Sequence, residues 1–258
     1  MSISATPLSS EHRRCFREDG FFVLERALPA EELETLRVEC GRLVEERERE
    51  MQRLGVHTID LDHRGSRYFL HAYGKSPAVE GFLRSELMVD VARVALGDTV
   101  YLFNEQFVVK AAETGMTFSW HQDSGFIEYL HRPYLTCWIA LDDMSEANGT
   151  VYLLTYERAG TRDVVPHVRD EASNDLVGYF GDDPGDPVIV PAGSIVCFST
   201  TLFHRSGANT TERMRRVYVA QYSAEPILNA DGSGPRMLAE PLLVAGERAG
   251  PSTATVEV

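Results

Sequence analysis

The period of the apolar residues changes once along this chain, near residue 99, and that change limits the folds open to it. Before it, Leu33, Leu36, Leu43 and Val44 form one stripe at helical spacing, and Val79, Phe82, Leu83, Leu87, Val91 and Val94 form another. After it, residues 100–110, 118–124, 133–141, 150–156 and 214–222 are rich in β-branched and aromatic side chains and read as extended chain. Helices first and short strands afterwards specify a mainly β core with flanking helices, a sandwich or a barrel. The pattern by itself does not choose among such cores.

Local chemistry adds boundaries. Ser9 or Ser10 caps a short helix running to Glu18, and Gly20 to Leu24 follows as a strand. Pro29 opens the next helix, with Glu31 and Glu32 in its first turn. A further helix is expected unbroken from Val79 to Leu96, ending at Gly97-Asp98. Residues 55–77 read as a glycine-punctuated loop carrying aromatics and histidines. Val188–Val190 and Ile195–Ser199 read as a hairpin joined by Pro191-Ala192-Gly193. The stretch after Pro226, rich in Gly, Pro and Ala, is expected to wrap the surface or fray. The expectation is a single domain over 1–258: a helical part over about 1–98, the β core over about 99–225 and a tail over 226–258.

Charge and cysteine usage narrow the classes. A formal charge of −14 argues against nucleic acid and anionic membrane surfaces as partners. No apolar run approaches the ~20 residues that a membrane span requires. The first residues lack a basic region followed by an apolar one, so no secretory leader is expected. Cys15, Cys40, Cys137 and Cys197 are isolated, and the last three sit in apolar patterns as reduced core residues of a cytoplasmic protein.

The candidate chemistry centres on Phe118-Ser119-Trp120-His121-Gln122-Asp123-Ser124. In extended chain, residues two apart share a face, so His121 and Asp123 can grip one metal ion while Trp120 and Gln122 turn away. His204, in Phe203-His204-Arg205-Ser206-Gly207, supplies a third ligand. Two His and one carboxylate form the facial set of non-haem Fe(II) oxygenases, which leaves three positions open. Eleven residues beyond His204 stands Arg215, able to fork onto a co-substrate carboxylate. Arg213 and Arg216 are its rivals, and His131, Glu113 and Glu128 rival the ligands; no HExxH is present.

These residues, together with Gly20-Phe21-Phe22-Val23-Leu24, Trp138-Ile139-Ala140-Leu141-Asp142-Asp143, Asn148-Gly149, His204-Arg205-Ser206-Gly207-Ala208-Asn209 and Arg215-Arg216, resemble the phytanoyl-CoA dioxygenase family. That resemblance implies a double-stranded β-helix (jelly-roll, cupin-like) core and Fe(II)/2-oxoglutarate-dependent oxygenase chemistry with O2. It also implies that Arg215, Ser206 and Trp138 contact 2-oxoglutarate. Related halogenases carry a small residue where Asp123 stands, leaving room for chloride, so the resemblance implies an oxygenase. The family commonly shows a PGSH-like segment after Asn-Gly; here Val151-Tyr152-Leu153-Leu154-Thr155-Tyr156-Glu157-Arg158 follows, and an acyl-CoA substrate is not expected. The expected substrate is a small molecule, a bacterial secondary metabolite such as an antibiotic, contacted by Tyr68, His71, Phe126, Tyr129 and Arg158. Hydroxylation of an unactivated C–H, or epimerisation or cyclisation by the same radical, is the expected outcome. The competing classes are a jelly-roll binding protein without turnover and a metalloenzyme of this fold that uses no 2-oxoglutarate.

Overall fold

The computed structural model describes residues 8–113, 116–171 and 175–250. The expectations for residues 1–7 and for 251–258 of the tail lie outside them. Helix α1 (Ser10–Glu18) follows Ser9 at its N-cap, and α2 (Ala30–Leu54) follows Pro29 and stops at Gly55, whose φ of 69° is left-handed. The single helix expected over 79–96 is two, α3 (Pro77–Leu83) and α4 (Glu86–Leu96). Ser76 and Ser85 cap them, each Oγ accepting a backbone N–H three residues on at 3.3 Å. Val79, Phe82 and Leu83 on α3 and Val91 on α4 all reach one core, so the apolar stripe runs across the break and conceals it.

The strands are β1 (Phe21–Leu24), β2 (Thr58–Ile59), β3 (Asp62–His63), β4 (Arg67–Leu70), β5 (Val100–Lys110), β6 (Phe118–His121), β7 (Leu135–Ala140) and β8 (Val151–Leu154). After the short helix α5 (Tyr156–Ala159) come β9 (Val168–Arg169), β10 (Leu176–Val177), β11 (Asp186–Pro187), β12 (Ile195–Ser199), β13 (Phe203–Ser206), β14 (Arg215–Ser223), β15 (Glu240–Val244) and β16 (Glu247–Arg248). The large sheet runs β1-β12-β7-β14-β5-β4-β3-β2, with β15 and β16 attached beside β5. The small sheet runs β11-β8-β13-β6, and β9 pairs with β10 alone. All pairings are antiparallel.

Two cores follow from the alternation of the central strands. On β14, Val217 and Val219 point into the space between the sheets and meet Trp138, Val196, Val151 and Leu153. Tyr218, Ala220 and Tyr222 point the other way, into the core beneath α2, α3 and α4. Such a strand is buried on both faces, and β14 has eight of its nine residues buried. The described cysteines are all free, and Cys40, Cys137 and Cys197 are buried.

Three expected features differ. Residues 55–77 are not a plain loop: they supply β2, β3 and β4, and β4 extends the large sheet beside β5. Val188–Val190 and Ile195–Ser199 do not form a hairpin, because the chain crosses between sheets there. Asp186–Pro187 pairs with β8, whereas β12 pairs with β1 and β7. The tail is not only a surface wrap: β15 bonds to β5, and Leu242 and Leu243 are 2% exposed. The large sheet therefore draws strands from 1–98 and 226–258 as well as from 99–225. Among the described residues no helix is long and apolar enough to cross a membrane. Removing the Ser85 cap (Ser85→Ala) should lower stability by about 1 kcal/mol, read from the urea midpoint, with the metal affinity unchanged.

Candidate metal centre

β6 and β13 are neighbours in the small sheet, and their register sets His121 opposite His204. Each imidazole is oriented by its own backbone. His121 Nδ1 donates to Ser119 O at 2.7 Å and His204 Nδ1 to Leu202 O at 3.1 Å, since a carbonyl can only accept. Both Nε2 lone pairs are thereby left to face a ligand. The strand stops at His121, Gln122 continues extended, and Asp123 opens a 3-10 turn to Phe126. The two-residue spacing thus delivers Asp123 to the same side as His121. Its Oδ1 lies 3.8 Å from His121 Nε2 and 3.4 Å from His204 Nε2. The three ligand atoms lie within 4.8 Å of one another, the compact facial set a divalent transition metal accepts. Burial, then the neighbouring His204, lowers the His121 pKa to about 4. Burial opposes the charge on Asp123, but His204, His121 and Thr136 outweigh it and bring the carboxyl down to about 2. Neutral imidazoles beside a carboxylate are the protonation states a metal requires.

A supporting layer, not apparent in the sequence motifs, holds the ligands. Thr136 Oγ1 donates to Asp123 Oδ2 at 2.6 Å and Gln221 Nε2 donates to the same oxygen at 3.0 Å. Asn104 holds Gln221 in turn, 3.1 Å away. With Oδ2 so occupied, Oδ1 is the oxygen presented to a metal. Gln122, between the two ligands, is fully buried and clamps the segment 163–167: its side chain donates to Asp163 O and Thr201 O and accepts from Val165 N. Its backbone N–H donates to His167 Nε2 at 2.9 Å. The His167 ring lies against Gly125 and Gly178, where a Cβ would come within 2.3 and 2.5 Å of it. Burial lowers the His167 pKa, which keeps the ring in the neutral form that can accept.

The large sheet faces this cluster with a second polar group. Arg215 is 2% exposed, its Nε has no partner, and its other nitrogens make only long bonds to Val108 O (3.4 Å) and Gly149 O (3.3 Å). Burial lowers its pKa to about 10. Trp138 lies beside it, its ring centroid 6.0 Å from the guanidinium carbon. Lys110 is fully buried and donates to Ser206 Oγ at 2.7 Å and to Gly207 O. Burial, and next the charge of Arg215, lower its pKa to about 6. An uncompensated buried guanidinium is costly, and a guanidinium beside an amine that can take up a proton suits a dianion. Of the rivals, Arg216 is engaged by Asp142 on the outer face, His131 bonds Ser124 Oγ at 3.0 Å, and Glu113 and Glu128 are outside the ligand cluster.

His121, Asp123, His204, Trp138, Ser206, Arg215 and Phe126 all line one cavity of about 540 Å³. The other four expected substrate residues do not line it. Tyr68 is on the opposite face of β4, donating to Glu48 at 2.6 Å; its neighbours Arg67 and Phe69 face the cavity instead. His71 lies past the end of β4 and bonds Glu105 O. Tyr129 donates to Leu228 O at 2.5 Å and anchors the tail. Arg158 is committed outside to Asp183 and Asp186. Thr136, Gln221 and Lys110 share the inward parity of Trp138, Arg215 and Val108 on their strands, so a period of two was the signal that could have found them.

The sequence model described as phytanoyl-CoA dioxygenase (PhyH) matches residues 16–217. A probable alpha-ketoglutarate-dependent hypophosphite dioxygenase of Stutzerimonas stutzeri is 29% identical over 177 residues, 66% of this chain and 61% of that protein. The chain therefore spans less than two thirds of that relative's length. Among solved structures, the non-heme alpha ketoglutarate dependent carbocyclase SnoK from nogalamycin biosynthesis superposes with a TM-score of 0.66 at 19% identity, covering 96% of this chain and 94% of that one. EctD from S. alaskensis with 2-oxoglutarate and 5-hydroxyectoine gives 0.65 at 23% identity, covering 97% and 90%. The solved structures share the jelly-roll fold.

Asp123→Ala and His204→Ala should each abolish Fe(II) binding in an anaerobic titration; unchanged affinity in either would remove that residue from the ligand set. His167→Ala should weaken the metal by roughly tenfold or more, as loss of an outer support does, with the circular dichroism spectrum preserved.

Proposed function

Since this chain belongs to the phytanoyl-CoA dioxygenase family of Fe(II)/2-oxoglutarate-dependent oxygenases, we propose that it oxidises an unactivated C–H bond of a small molecule in the cavity between its sheets. The observation that carries this reading is the buried Arg215, which has no anion among the described residues and shares that cavity with His121, Asp123 and His204. The three ligands would hold Fe(II) on one face and leave the other open to co-substrate and O2. Arg215 would fork onto the far carboxylate of 2-oxoglutarate, with Ser206 and Lys110 donating beside it and Trp138 packing along it. When bound, iron and 2-oxoglutarate supply oxidation of a substrate C–H coupled to decarboxylation of the co-substrate to succinate.

The rest is done by the chain. Thr136 and Gln221 keep Asp123 in place, and His167 with Gln122 keeps its backbone from relaxing. Phe126 stands 5.6 Å from the His121 ring, edge on, and shields that ligand from solvent. Asp123 occupies the position that a halogenase would leave to halide, which supports an oxygenase. For the product we propose hydroxylation, or epimerisation or cyclisation by the same substrate radical, on a bacterial secondary metabolite such as an antibiotic, in the cytoplasm. Its support is the likeness of fold to a carbocyclase of nogalamycin biosynthesis and the stretch Val151–Arg158, whose sequence departs from that of the acyl-CoA members.

Anaerobic addition of Fe(II) and then 2-oxoglutarate should develop the weak visible charge-transfer band of the chelate, and Arg215→Ala should lose it at the same co-substrate concentration. A band of equal affinity in the variant would remove Arg215 from the co-substrate site, whereas Fe(II) binding with no band in the unaltered protein would turn the assignment towards a 2-oxoglutarate-independent metalloenzyme. Lys110 yields a pH prediction. With its pKa lowered to about 6 the amine is neutral at pH 8. A nearby dianion raises it, so 2-oxoglutarate binding should take up about one proton at pH 8 and progressively less below pH 6. Calorimetry in two buffers of different ionisation enthalpy measures this uptake, which should vanish in Lys110→Met.

A further inference from the structure

We propose that the substrate carries an acidic group, carboxylate or phosphate, on a flat apolar body, and that Arg67, Arg169 and Arg236 receive the acid at the cavity mouth. This rests on the oxygenase reading above and names its substrate class. The chain as a whole has 39 acidic residues against 25 basic ones, but the cavity inverts that balance. Among the described residues its lining holds Arg67, Arg169, Arg205, Arg215 and Arg236, and its acids are Asp123 and Asp175. Asp123 and Arg215 are committed to the metal and the co-substrate. Arg205 is also engaged: its guanidinium lies 3.7 Å over the Tyr152 ring and donates to Pro184 O at 2.9 Å. Arg67, Arg169 and Arg236 remain on the lining, with Asp175, whose Oδ2 accepts from Ser119 N at 2.9 Å, among them.

Arg67 and Arg236 are held in place without being neutralised. Arg67 Nε donates to Leu61 O at 3.1 Å, and one Arg236 nitrogen donates to Phe126 O at 2.9 Å. Neither pairs with a carboxylate among the described residues. A guanidinium has five N–H donors, so donors remain on each for a ligand. The three come from separate covering segments: Arg67 from β4, Arg169 from β9 and Arg236 from the tail. One surface arginine attracts an anion weakly, but cations converging on a cleft with apolar walls focus their field into it. The walls are aromatic: Phe69 meets Phe118 edge to face at 5.7 Å, Phe103 meets Tyr134 at 4.8 Å, and Phe126 is 48% exposed. Such walls accept a flat apolar body, with the acid left at the arginines.

The test is calorimetry on the anaerobic protein saturated with Mn(II) and 2-oxoglutarate, so that Arg215 is already occupied. The probes are 1-naphthoate, 1-naphthyl phosphate and the neutral 1-naphthamide. At least one acid should bind about tenfold or more tighter than the amide, and the advantage should shrink with salt. Whichever acid prevails identifies the group. Arg67→Gln combined with Arg236→Gln, and separately Arg169→Gln, should erase most of that advantage while leaving the amide affinity unchanged, with thermal unfolding confirming each fold. The proposal is overturned if the amide binds as tightly as both acids, if the variants weaken acid and amide alike, or if no acid binds at millimolar concentration. A parallel 2-oxoglutarate titration separates the two levels. Co-substrate binding with no acid preference sinks this inference alone; an arginine-dependent acid preference with no co-substrate binding upholds it and sinks the co-substrate assignment.

Discussion

The centre depends on one cross-strand register, His121 opposite His204 on β6 and β13. A strand that slips by a single residue turns every side chain to the other face, so a slip here would exchange His121 for Trp120 or Gln122. The register is guarded from outside the pair. Gln122 is pinned through its side chain to residues 163, 165 and 201, and through its backbone to His167. Those four bonds come from residues outside the ligand cluster and leave the ligand atoms free. The dyad spacing of His121 and Asp123 places both ligands only because this middle residue is locked.

The division of labour between the two faces of the large sheet follows from that geometry. Its outer face, with Tyr218, Tyr222, Leu102 and Phe107 beneath the helices, supplies an apolar core independent of the cavity. The inner face can then carry residues that disfavour folding on their own. Arg215 and Lys110 are buried beside each other, and burial lowers the pKa of both. A desolvated guanidinium beside a buried amine is a poor structural choice and a good receptor for a dianion, whose charge lets the amine take up a proton. Burial near about 25 cal/mol per Å² of apolar surface on the opposite face offsets their cost.

Much of the fold was legible because periodicity reports burial. The switch near residue 99, the strand over 100–110 and the shared face of His121 and Asp123 all emerged from spacing. The failures have equally local reasons. The Ser85 break between α3 and α4 lies within a continuous apolar stripe, and only its cap bond marks it. Tyr68 was chosen for its chemistry, yet the parity of β4 gives the cavity to Arg67 and Phe69. The hairpin expected around Pro191-Ala192-Gly193 failed because the turn residues do not reveal which sheet each flanking strand joins.

By itself, then, the sequence determined the candidate ligand set, the arginine eleven residues beyond and a mainly β core with flanking helices, since these are matters of residue type and short spacing. Tertiary structure alone decided what surrounds them. Thr136 and Gln221 meet Asp123 across 13 and 98 residues of chain. His167 reaches Gln122 across 45. Arg67, Arg169 and Arg236 belong to three segments whose only relation is that each covers the same cavity. In a chain with a net charge of −14 no composition could announce a cationic mouth. Local spacing encodes which groups can act together on one strand; only closure of the two sheets brings charges from distant strands within reach of one ligand.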